Sequence, residues 1–192
     1  IAALGVCRST AAVELLLQHD ADVNWSRPPI GVTPLSVACS KSAPLSVIKL
    51  LVEKQADVNG RGCGMGIPPL SSLSVSAEGA CDLEDKVKFL IEARADINLG
   101  GTPMGMVKIL ELVSRVTSYF KSQSLVEKFV ADISSSPLGL ACVLCRERLA
   151  RALLEAHADL ERENSRGHTA IQLAKLPRLQ RLLLGFQKTV SI

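Results

Sequence analysis

Two short phrases recur along this chain at a nearly fixed interval. Pro-Leu at Pro34-Leu35 returns as Pro69-Leu70, Pro103-Met104 and Pro137-Leu138, at spacings of 35, 34 and 34 residues, and as Ala170-Ile171 after 33 more. An Ala-Asp-apolar phrase stands at Ala21-Asp22-Val23, Ala56-Asp57-Val58, Ala95-Asp96-Ile97, Ala131-Asp132-Ile133 and Ala158-Asp159-Leu160. A period in this range marks stacked supersecondary units, each burying on its neighbour an apolar side it cannot bury alone. By size the 192 residues could form one large or two small domains; the repeat predicts one elongated domain of about six units.

The clearest unit runs from Gly31 to Asn59. Pro34 has the fixed φ and missing donor that suit a first helical turn, and the Thr33 hydroxyl can accept from the free N–H groups there. A second helix is predicted to start near Leu45 and end before Ala56, with Val47, Leu50 and Leu51 on one side.

On Gly31, Thr33-Pro34-Leu35, Ala38, the Leu50-Leu51 pair and Ala56-Asp57-Val58-Asn59, the unit resembles the ankyrin repeat. The resemblance implies an all-α ankyrin-repeat solenoid: stacked helix-turn-helix units with finger loops on one edge. It also implies structural roles for Thr33, Pro34, Leu35, Ala38, Leu50, Leu51 and Asp57, and for Pro69, Leu70, Leu90, Asp96, Pro103, Pro137, Leu138, Leu153 and Asp159 in the other units. The expected units are residues 1–29 (truncated), 30–64, 65–99, 100–133, 134–165 and 166–192 (partial or capping).

Taken in order, Ile1 to Cys7 is expected to be the remainder of a first helix, with Ser9 or Thr10 capping the second and Val13, Leu16 and Leu17 buried. Gly60 is expected to supply a positive φ in the Gly-rich finger from Gly60 to Pro68. The third unit is longer, with Asp82 as the cap of a helix over Leu83 to Glu92. The fourth is the least regular, and Arg146, Glu147, Arg148 and Arg151 of the fifth are expected on its solvated side.

Apolar residues make up 47% and aromatics 3%, which suits Leu, Val and Ala packed between paired helices and leaves little for an aromatic-lined pocket. The formal charge of +3 is dispersed, so nothing argues for nucleic-acid or membrane-surface attraction. No apolar run of 18 residues marks a membrane span. The opening Ile1-Ala2-Ala3-Leu4 reads as the interior of a longer protein. Scattered cysteines at 7, 39, 63, 81, 142 and 145 favour reduced thiols in a cytoplasmic or nuclear setting, with Cys39 and Cys142 buried as small hydrophobes.

Cys142-Val143-Leu144-Cys145 has a metal-ligand spacing but lacks a second pair, so no metal is expected. His19 and His157 are expected to share one place at the end of a second helix, where a cation meets the negative helix end, and His168 to bridge neighbouring fingers. Asp22, Asp57, Asp96, Asp132 and Asp159 are expected to stack in one column, each bonding turn N–H groups. No nucleophile, base and oxyanion donor converge, so neither a catalytic residue nor a cofactor is expected.

The resemblance implies a scaffold or adaptor that binds a protein partner, as a monomeric segment, without nucleic acid and without direct membrane insertion. The residues expected to contact that partner are Trp25, Arg27, Ile30, Arg61, Met65 and Leu99 on the fingers, with Lys41 and Arg146 on the helical surface. The alternatives are a non-catalytic regulatory or targeting segment of a larger enzyme, such as a kinase or ubiquitin ligase, and a structural spacer.

Overall fold

The computed structural model describes residues 3–26, 32–61, 66–76, 82–102, 132 and 134–190. Among them the regular elements are all helical: α1 (Ala3–Val6), α2 (Thr10–Gln18), α3 (Pro34–Ser40), α4 (Leu45–Glu53), α5 (Pro69–Ser72) with a 3₁₀ turn (Leu73–Val75), α6 (Leu83–Glu92), α7 (Pro137–Val143), α8 (Glu147–Glu155), α9 (Ala170–Leu173) and α10 (Pro177–Val190).

Local chemistry starts and stops these helices. At α3, Pro34 occupies the first turn and Thr33 Oγ1 accepts from the Ser36 N–H at 3.2 Å; at α7, Pro137 and Ser136 Oγ repeat the arrangement on the Gly139 N–H. The helices α2, α4, α6 and α8 all end alike. Asp20, Gln55, Arg94 and His157 take left-handed φ values of 57, 66, 69 and 64°. The next residue is an alanine whose N–H reaches back to the carbonyl of Leu16, Leu51, Leu90 or Leu153. This six-to-one closure satisfies a carbonyl left open at the helix end. Glycine is the usual left-handed residue at such a stop, and its absence hid the motif in the sequence.

The helices pack in two rows. In one, α1 packs on α3, α3 on α5, α5 on α7 and α7 on α9; in the other, α2 packs on α4, α4 on α6, α6 on α8 and α8 on α10. Leu35, Ala38, Val47, Ile48, Leu51, Leu70, Leu90, Leu138, Leu149 and Leu153 belong to one apolar core running along both rows. Residues 103–131, which hold Pro103 and most of the expected fourth unit, lie outside the described residues, and the third and fifth units contact one another directly.

Several local expectations need correction. Ser9 flanks α2 but makes no side-chain cap bond. Asp82 does not cap its own helix: Oδ1 pairs with Lys86 Nζ at 2.7 Å and Oδ2 accepts from the Leu45 N–H at 3.2 Å, so it serves the start of α4, where Pro44 has no side-chain acceptor. The positive φ expected at Gly60 falls instead at Gly66, at 60° and pressed against the Thr102 backbone. A side chain at Gly60 would crowd Asp57 and the Thr33 methyl group, so close approach is what selects glycine there. His19 and His157 are not equivalent: His19 is the C-cap of α2, while His157 is the left-handed residue one position further on.

Candidate functional site

The edge that carries the fingers is built by an Asp-x-Asn step. Asp22, Asp57 and Asp96 each accept through Oδ1 from the N–H two residues on, at Asn24, Asn59 and Asn98, over 2.8 to 2.9 Å. Each asparagine then reaches the next unit. Asn24 Oδ1 accepts from the Asp57 N–H at 2.7 Å while its Nδ2 donates to the Gln55 carbonyl; Asn59 does the same with the Asp96 N–H and the Arg94 carbonyl. Asn98 Oδ1 accepts from the Asp159 N–H at 2.9 Å. These bonds hold successive fingers at a repeated spacing, with local turn bonding as the role of each carboxylate. The recurrence of Asn two residues after Asp was the signal that could have located the ladder.

Asp132 is not in this column. It is buried, its Oδ1 accepts from Asn164 Nδ2 at 3.0 Å, and Arg166 Nη1 stands 3.4 Å away. Asn98 is joined instead to Asp159, so the ladder passes from the third unit to the fifth without Asp132. His168 donates its backbone N–H to Asn164 Oδ1 within the last finger, while its buried Nδ1 has no partner among the described residues.

The residues expected to meet a partner fall on two opposite edges of the array. Trp25, Arg61 and Leu99 are half-buried on the finger edge. Trp25 donates its N–H to the Asp22 carbonyl, Arg61 Nη1 is 3.5 Å from Thr102 Oγ1, and the Leu99 carbonyl accepts from Ser71 Oγ. Lys41, which is exposed, and Arg146 lie at the other end of their hairpins, between the two helices of a unit. Arg146 Nε donates to the Ser74 carbonyl at 3.0 Å, joining the fifth unit to the third. Arg27, Ile30 and Met65 are outside the described residues.

Arg148 is also more than a solvated charge. Its Nε and Nη2 grip the Glu84 carboxylate at 3.1 and 2.8 Å, again between the fifth and third units. Beside this pair lies a cavity of about 280 Å³ lined by Leu73, Ser76, Leu83, Cys145, Arg146 and Leu149. Burial pushes the Cys39 and Cys142 thiols up to about 12, which disfavours the thiolate needed for nucleophilic or metal chemistry. Among the described residues no three His, Cys, Asp or Glu side chains converge as a metal site, and no helix is long and apolar enough to cross a membrane.

The ankyrin-repeat family profile matches residues 30–62, the span of α3, α4 and the finger that follows. The chain therefore carries an ankyrin-repeat motif at its most regular unit. No curated protein matches the chain in sequence.

Proposed function

We propose that the described units form a divergent ankyrin-repeat solenoid, the fifth seated on the third, that works as a non-enzymatic scaffold or adaptor for a protein partner. The observation that carries this reading is the ladder from Asn24 to Asp57, Asn59 to Asp96 and Asn98 to Asp159, which keeps a row of fingers in register along one edge. Finger residues held by a continuous core lose little further freedom on binding, so preorganisation contributes to affinity. The partner contacts are assigned to Trp25, Arg27, Ile30, Arg61, Met65 and Leu99, in a reducing cytoplasmic or nuclear setting.

Cross-linking capture from the source cell, repeated with Trp25→Ala combined with Arg61→Ala, tests the assignment. The expected result is at least a tenfold loss of affinity for the captured protein with an unchanged unfolding midpoint. Equal affinity for the variant would remove the finger edge as the binding site and leave a spacer role.

A further inference from the structure

The third and fifth units are joined in both helix rows and along the asparagine ladder, as neighbouring units are elsewhere. Their first helices pack together, α5 on α7, and so do their second helices, α6 on α8. The asparagine ladder crosses from Asn98 to Asp159 in the same geometry as from Asn24 to Asp57. At the far end of the hairpins Arg146 Nε donates to the Ser74 carbonyl and Arg148 holds Glu84 through two nitrogens. Residues 61 to 72 positions apart in sequence thus make contacts that a period of about 34 residues reserves for adjacent units.

The flanks of residues 103–131 also meet. A methyl group added at Gly100 would strike the Ser134 carbonyl, and Ser135 is within the same reach. On the other side, the Thr102 N–H donates to the Gly66 carbonyl at 3.1 Å, holding the third finger to the second. Ser134 and Ser135 therefore lie beside Gly100, on the finger that Thr102 ties to Gly66.

We infer that the fifth unit docks on the third by its own contacts, so that this junction holds without chain continuity between Thr102 and Asp132. This inference is independent of whether the fingers bind a partner.

The test uses the full chain with one specific protease site placed within residues 103–131. After cutting, the two pieces should co-elute at micromolar concentration and unfold in a single transition. In the cut protein, Asn98→Ala with Arg148→Ala should raise the dissociation constant between the pieces about tenfold or more, because both residues act across the junction. Pieces that separate on cutting, or an affinity that the double substitution leaves unchanged, would overturn the inference; the second result would mean that the fifth unit is not held on the third by these contacts.

Discussion

The Leu50-Leu51 pair shows what a repeat pattern can and cannot resolve at the scale of one residue. Both leucines were expected in the core on helical spacing alone, yet Leu51 is fully enclosed while Leu50 keeps 9% of its surface. Leu51→Ala should cost about 3–5 kcal/mol and Leu50→Ala about 2–3 kcal/mol, since a rim site relaxes more readily around the lost atoms; urea unfolding of the two variants measures the difference. Cys39 gives a second prediction. Burial holds its thiol protonated up to about 12, whereas the unfolded chain releases that proton near 9.0. The folded state binds more protons between these values, so this stabilisation is complete below pH 9.0 and is lost as pH rises towards 12. Cys39→Ala should flatten the fall of the urea midpoint across that window relative to the parent chain.

At the scale of elements, most helix positions were legible because a 3.6-residue apolar pattern and a Thr-Pro or Ser-Pro start act locally. The link between α4 and α6 was not. Lys86 sits in the middle of a charged-looking helix, yet its side chain keeps only 2% exposure and its ammonium group pairs with Asp82. The same carboxylate accepts from the first N–H of α4, so one side chain serves two helices. Asp82→Ala should therefore cost about 2–3 kcal/mol, below the full penalty for a broken buried pair because Asp82 is one-third exposed. Adding Lys86→Met should restore much of that loss by removing the stranded charge, as chemical unfolding of the single and double variants would report. A sequence pattern marks Lys86 as polar and cannot say which neighbour covers it.

At the scale of the whole molecule, the period of about 34 residues determined that the chain would bury itself unit on unit, because no single hairpin can cover its own apolar side. The finger edge was legible through the same recurrence, and the aspartates at 22, 57, 96 and 159 were correctly read as turn-forming because their partners are two residues away. Long-range choices were a different matter. Pro103 and Asp132 keep the spacing of the repeat, but Asn98 is bonded to Asp159, and Arg146 and Arg148 are drawn to Ser74 and Glu84. Spacing along the chain selects local turns and helices, where bonding partners are a few residues apart. Which unit lies against which is decided only when side chains about 60 to 70 residues apart compete for the same carbonyls, amides and carboxylates in three dimensions.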